Sequence, residues 1–417
     1  MKNKKTLIII GTLIVLVIAG VITWFFKPIR AVTGQASEEA YRIGQPTCFR
    51  EETFSSWDWG KLTELPDTHI GGMGFDLRSQ DASELPLADC SEVLSFVTFD
   101  TATIWPKELP EDFFPEQIIE LGKNPGLGIR SLHEQGLTGK GVSIAIIDQA
   151  LNLEHPEYCD NIMGYELLHS CDDSAAMHGS AVTSIAVGKN CGVAPDANVY
   201  YISSTFGWYT RAGAKLNLDY MAKSIDRVLE INELLPEDKK IRVISVSRGF
   251  GRMTPGGNKV YDAIERAKEK GIFVITTSTD QNYDFQLLGL GRGLNMDPDD
   301  INSYAPGLFW RDNFYGGSSS LDPQKTLLVP MDAKTYASCS RTDGYEFTAS
   351  GGLSWSVPWL AGLYALCLEK NASLTPEDFI RTAFETGVTK TIEYNGSSYE
   401  LGTIIVPAAL MDEIGNL

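Results

Sequence analysis

The chain has 417 residues, with 54 Asp and Glu against 35 Lys and Arg, a formal charge of −19, and 43% of it is apolar. That composition is globular and excludes a disordered chain, and the length allows two or three folding units. The first thirty residues hold five bases (Lys2, Lys4, Lys5, Lys27, Arg30) and no acid, so 30 bases face 54 acids over the remainder, a net of −24, which excludes nucleic acid as a partner.

In chain order, the first predicted element is the uncharged stretch Leu7–Phe26, LIIIGTLIVLVIAGVITWFF. At 1.5 Å per residue a helix of this length reaches ~30 Å, the thickness of a hydrocarbon core. A cleaved secretory signal is the alternative, but its apolar region spans ~7–15 residues and ends in a small-x-small site. This stretch instead runs into Trp24, Phe25, Phe26 and Lys27, an interfacial flank. Lys2, Lys4 and Lys5 on one side against Lys27 and Arg30 on the other place the N-terminus in the cytoplasm and the remaining chain outside. Residues 1–30 are therefore read as a single-pass membrane anchor.

Residues 31–124 form a pre-domain rich in Pro, Gly, Ser and acids, a cleavable propeptide or a permanent spacer. Short β-like runs occur at Gly74–Arg78 and Val93–Thr101, and EDFFPEQIIELGKNPGLG predicts a short helix stopped by Gly and Pro. Beyond Gly126 apolar runs rich in Val and Ile alternate with amphipathic helices. GVSIAIID, NVYYISS, IRVISVS and IFVITTS read as strands; a helix follows His178, and others cover about 216–234 and 258–270. Strict alternation predicts an α/β fold, a doubly wound parallel sheet with helices on both faces, over residues 125–417. In LTPEDFIRTAFETG, Thr375 is the expected N-cap, Pro376 the first helical residue and Gly387 the stop.

Seven cysteines (48, 90, 159, 171, 191, 339 and 367) show no CxxC and no metal spacing with the five histidines. Cys159 and Cys171 flank a polar segment that a disulfide would close, and Cys367 in LAGLYALCL reads as a small buried hydrophobe. His155 is expected to be structural and His69, His133 and His169 to lie on loops or the surface. Asp297, Asp299 and Asp300 are expected on a solvated face.

Three polar residues sit where such a sheet exposes them. Asp148 ends the strand GVSIAIID and emerges at the carboxyl edge, where ligands bind in this architecture. His178 begins a helix in MHGSAVTSIAVG, and Ser354 follows two glycines in SGGLSWSVPWLAG and opens an apolar helix. Asp, then His, then Ser is one of the known chain orders of hydrolytic triads. The surrounding residues carry a resemblance. GLTGKGVSIAIIDQALNLEHP resembles the subtilase Asp motif, HGSAVTSIAVGKNCGVAP resembles its His motif, and GLSWSVPWLAG resembles its Ser motif. The likeness covers about 126–410. It implies a subtilisin-like serine endopeptidase acting on proteins or peptides, in which His178 takes the proton of Ser354, Asp148 holds the ring, and the Ser354 N–H faces the oxyanion.

The chain also departs from the family. Asp-Thr-Gly becomes Asp148-Gln149-Ala150, and Leu353 precedes the serine. GIFVITTSTD aligned on the family's AAGN pattern puts Asp280 where an Asn donates to the oxyanion. An ionised Asp can only accept. Three readings follow: a protonated Asp280 in a buried, acid-rich site, suited to activity below neutral pH; a shift that lets Gln281 or Asn282 supply the amide; or a crippled oxyanion hole. The last reading makes the protein a catalytically weak or inactive subtilase-fold binding or assembly module. In ISVSRG the resemblance implies that Ser247, Arg248 and Gly249 pair with substrate backbone. Arg248 replaces a residue that is usually apolar; it meets an acidic substrate side chain or pairs with one of this chain's own acids. No cofactor is required. Glu157 matches a calcium-ligand position, but the chain between His178 and Gly192 is short for the loop that completes such a site, so structural calcium is doubtful.

Overall fold

Apolar runs with no polar alternation can be buried on both faces only when helices cover the sheet on both sides. A computed structural model of the chain, describing residues 41–43, 61–66, 74–169, 175–210, 213–317 and 321–417, is built in this way. The stretch Leu7–Phe26 lies outside the described residues, and among the described residues no helix is long and apolar enough to cross a membrane.

The first part of the chain gives strands β1 (Tyr41–Ile43), β2 (Phe75–Asp76) and β3 (Val97–Asp100) and helices α1 (Pro115–Lys123) and α2 (Ile129–Glu134). The alternating part follows: β4 (Ser143–Asp148), β5 (Ile162–His169), α3 (Met177–Val187), β6 (Asn198–Ser204), the hairpin β7 (Gly207–Thr210) and β8 (Gly213–Leu216), α4 (Asp219–Leu234), β9 (Ile241–Ser245), α5 (Gly257–Glu269) and β10 (Phe273–Ile275). The last third holds β11 (Gln286–Arg292), β12 (Tyr304–Pro306), α6 (Leu308–Tyr315), β13 (Thr326–Pro330), β14 (Lys334–Ala337), β15 (Tyr345–Thr348), α7 (Ser356–Lys370), α8 (Pro376–Thr386) and α9 (Pro407–Ile414).

Six strands in the order β1-β5-β6-β4-β9-β10 form one wholly parallel sheet. Every residue of β4 is buried. From β4 the chain fills β5 and β6 on one side, then crosses through α4 to β9 and β10 on the other, so the connections diverge at the carboxyl end of β4. In an open α/β sheet that divergence leaves a crevice, and Asp148 stands in its floor. The apolar helix α7 is buried from Ser356 to Leu368. In α8, Thr375 caps as expected, its Oγ1 accepting the Asp378 N–H at 3.1 Å, with Pro376 first in the helix.

The pre-domain segment from residue 74 onward has its own place. Strands β2 and β3 lie in the two β-like runs, and β3 pairs antiparallel with β15 in a sheet ordered β14-β15-β3-β2, with Phe99 opposite Phe347. A second core forms there, in which Phe99 packs on Phe347 and on Trp105 at ring distances of 5.1 Å. Arg78 forks onto Asp76 and reaches Glu346 at 2.6 Å, a largely buried ion pair between residues 268 positions apart. Helix α1 docks on β14 through Thr335 Oγ1, which donates to the Ile119 carbonyl at 2.8 Å, and Lys334 Nζ donates to the Pro125 carbonyl at 2.7 Å.

Among the described cysteines, 90, 159, 191, 339 and 367 are free thiols, and Cys367 is fully buried. Cys171, the second end of the loop that a disulfide with Cys159 would close, lies outside the described residues, as do Cys48 and His69. Asp297, Asp299 and Asp300 are exposed, and they also organise turns: Asp299 accepts from Asn124 Nδ2 and the Gly128 N–H, and Asp300 caps the turn at Asn302.

Candidate active site

Asp148 is 4% exposed at the end of β4, and its Oδ1 accepts the N–H of Gln149 at 2.8 Å. The same oxygen lies 2.7 Å from His178 Nδ1. Because a carboxylate only accepts, the proton is on Nδ1 and Nε2 is left as the base. What brings the two together is Gly179. A Cβ there would stand 2.6 Å from the Gln149 carbonyl oxygen and 2.7 Å from the Tyr201 hydroxyl, so only glycine lets the first turn of α3 press against the backbone beyond Asp148. Tyr201 Oη in turn donates to the Gln149 carbonyl, pinning that backbone from below. Burial pulls the His178 pKa down, the Asp148 charge and hydrogen bond pull it up, and the Arg248 charge pulls it down again; the balance lies above the ordinary 6.5.

Ser354 does not begin the α-helix as expected but lies in a 3₁₀ turn, Leu353–Trp355, that precedes α7. The turn enters through Gly352, whose φ of +65° is a left-handed conformation, and closes with the Trp355 N–H on the Gly352 carbonyl. Ser354 and Ser247 are joined twice: Ser247 Oγ donates to the Ser354 carbonyl at 2.8 Å, and Ser354 Oγ donates to the Ser247 carbonyl at 3.3 Å. Trp355, 3% exposed, lays its ring 5.3 Å from that of His178, so the two turns bearing His178 and Ser354 are neighbours. Behind them Gly362 of α7 abuts α3, since a Cβ there would meet Val193 Cβ at 2.7 Å and the Ala186 carbonyl at 3.1 Å.

No motif marks Asp332, although it ends the apolar run TLLVPMD much as Asp148 ends β4. It is 2% exposed; Oδ1 accepts the Gly351 N–H at 2.9 Å and Oδ2 the Leu308 N–H at 2.7 Å, which ties the start of α6 to the glycine turn before Ser354. Burial pushes its pKa up to about 7 against the pull of those two amides and Arg311.

The other sequence-predicted residues fall as follows. Asp280 lies in a one-turn 3₁₀ helix, Thr279–Gln281, and is exposed, with Oδ2 accepting from Gln281 Nε2 at 3.2 Å; the buried setting that one reading requires is not there. Asn282 is turned to α5, its Nδ2 donating to Glu265 at 2.8 Å and to the Tyr261 carbonyl at 3.4 Å. Gly249 is close to the strand end after β10, where a Cβ would meet Thr277 Oγ1 at 2.7 Å, and the Arg248 carbonyl accepts the Thr277 N–H at 3.4 Å. His155 is buried and structural: Nδ1 accepts the Glu157 N–H, so Nε2 donates to the Gly344 carbonyl at 3.0 Å. Glu157 is filled by donors. Its oxygens accept from the Asn190 and Cys191 N–H groups, Asn190 Nδ2 and Tyr345 Oη at 2.6 to 2.9 Å. Four donors converging on the carboxylate point hydrogens where a calcium ion would have to sit, and the residues do not fit that ion.

The subtilase family profile matches residues 139–403, well over half of the chain. The chain belongs to the subtilase family. The proteins to which it is similar are distant in sequence. Serine protease AprX of Bacillus subtilis (strain 168) is 23% identical over 307 residues, 65% of this chain and 66% of the relative. Subtilisin NAT of Bacillus subtilis subsp. natto is 24% identical over 294 residues, 67% and 68% of the two chains. Subtilisin-like protease PopC of Myxococcus xanthus (strain DK1622) is 25% identical over 142 residues, and the chain spans 29% of its length. Among solved structures, the prenylagaramide maturation protease PagA is similar with a TM-score of 0.48 and 15% identity, over 69% of this chain and 98% of that one.

Proposed function

We propose that this subtilase is a serine endopeptidase with Asp148, His178 and Ser354 as its triad, anchored in the membrane by Leu7–Phe26 with the catalytic unit on the extracytoplasmic side. The observation that carries the reading is the 2.7 Å contact between His178 Nδ1 and a buried Asp148 oxygen, beside the turn that bears Ser354. A serine hydroxyl is a weak nucleophile near neutral pH and needs a base in reach. On attack the Ser354 hydroxyl leaves the Ser247 carbonyl and gives its proton to His178 Nε2, while Oγ bonds to the scissile carbonyl carbon. His178 then passes that proton to the leaving amine, and water repeats the sequence on the acyl-enzyme. Asp148 holds the imidazolium throughout, and the Ser354 N–H faces the developing oxyanion. Ser247, Arg248 and Gly249 line the path of an extended peptide.

A second reading, a weak or silent subtilase used for binding, is favoured by the exposed carboxylate of Asp280 at the usual amide position. Labelling with a fluorophosphonate, in wild type and Ser354→Ala across acid to neutral pH, separates the two. Ser354-dependent labelling is expected; its absence at every pH sinks the peptidase.

A further inference from the structure

The sequence leaves Arg248 two roles, and the first question is whether the protein itself satisfies the guanidinium. Its side chain is exposed, and among the described residues it makes no ion pair, although the chain carries 19 more acids than bases. Other arginines are taken up: Arg227 by Glu166 and Glu230, Arg266 by Asp226, Arg381 by Asp378 and Glu385. The backbone fixes where Arg248 stands. Ser247 is clamped to Ser354 from both sides, and the Arg248 N–H closes a tight turn onto the Val246 carbonyl at 2.7 Å, so the next side chain along projects at the mouth of the site. Its charge is felt at His178, whose pKa it lowers, so the guanidinium lies within electrostatic reach of the base.

We infer that Arg248 is a specificity-determining residue that binds an Asp or Glu side chain of the peptide, within a few residues of the scissile bond. The inference rests on Ser354 marking the reacting centre. A planar guanidinium suits a carboxylate, which it can grip through two parallel N–H bonds. An acidic substrate meets an approach penalty against a body of net negative charge, and a cation at the mouth offsets it locally. A bound carboxylate would also cancel the pull of Arg248 on His178, so acidic peptides should be cleaved with the acid limb of the profile at higher pH than neutral ones.

The test uses the full chain in detergent micelles with pairs of fluorogenic peptides differing only by Glu or Gln at one position. At one position at least, Glu should be preferred about 10-fold in kcat/KM, the size expected of a charge-assisted hydrogen bond. The Glu/Gln ratio should fall to about one in Arg248→Gln and below one in Arg248→Glu, where like charges repel; a ratio is insensitive to how much of a variant folds. No Glu preference at any position, or a preference that survives Arg248→Gln, overturns the inference. A binding arm measures the same peptides by fluorescence anisotropy on Ser354→Ala, with and without Arg248→Gln. Glu-dependent binding lost with Arg248, together with a wild-type chain that cleaves none of these peptides, supports the recognition and sinks the peptidase; no Glu-dependent binding overturns the recognition while Ser354-dependent cleavage by the wild type leaves the peptidase standing.

Discussion

At the scale of single residues, His178 is governed by opposed forces. Burial and Arg248 favour the neutral ring, the Asp148 charge and hydrogen bond favour the imidazolium, and the second pair prevails. In the proposed mechanism the imidazolium cannot take the Ser354 proton below its pKa, so kcat/KM should fall as pH drops, and the raised pKa should set that limb above the ordinary 6.5 of histidine. This works against the activity below neutral pH that a buried, protonated Asp280 would have suited. Asp148→Asn should move the limb to lower pH, because burial then acts unopposed, and should cut kcat by about 10⁴-fold. A pH profile of kcat/KM with a peptide substrate checks both; an unshifted limb would mean that His178 is not the titrating base. Asp332 belongs at this scale too, since it fixes the glycine turn before Ser354 through one N–H bond to Gly351.

At the scale of elements, the site depends on how closely backbones approach. Gly179 lets α3 touch the loop after β4, and Gly362 lets α7 touch α3, so the helices that carry His178 and follow Ser354 share one buried seam. The sheet containing β3 and β15 serves as a second support, because β15 leads into the Ser354 turn and the Ala349 N–H bonds to the Val97 carbonyl. Its charged bolt is the Arg78 pair with Asp76 and Glu346. Arg78→Met leaves Glu346, 2% exposed, without its cation, and should cost ~3–5 kcal/mol in urea unfolding. Arg78→Met combined with Glu346→Met should recover part of that loss, since the buried Glu346 charge goes with its cation while the more exposed Asp76 carboxylate still loses its fork. A double variant as unstable as the single one would mean that the fork geometry itself holds the sheet.

At the scale of the whole molecule, Ala40–Leu417 forms one compact unit, and residues 74–123 are woven into it. Deleting residues 1–39 should release a soluble protein that still reacts with fluorophosphonate, while deleting 1–124 strips β3 from β15 and exposes Phe347, and should yield aggregate; a folded, labelled product of the longer deletion would make the segment a separable propeptide. Much of this plan is legible in the sequence. Strand-end Asp148, the glycine after His178, the two glycines before Ser354 and the Thr375 cap are local signals, fixed by side-chain period and turn chemistry over a few residues. The sequence by itself thus determined the parallel α/β layout, the three candidate triad positions and the family resemblance. Tertiary structure alone decided that the segment around Val97 joins a strand some 250 residues later, that Glu157 is filled by amide and hydroxyl donors, that Asp280 stands in water, and that the Arg248 side chain makes no ion pair among the described residues. Those outcomes depend on which surfaces distant in the chain come to face each other, and burial and charge pairing exist only once they do.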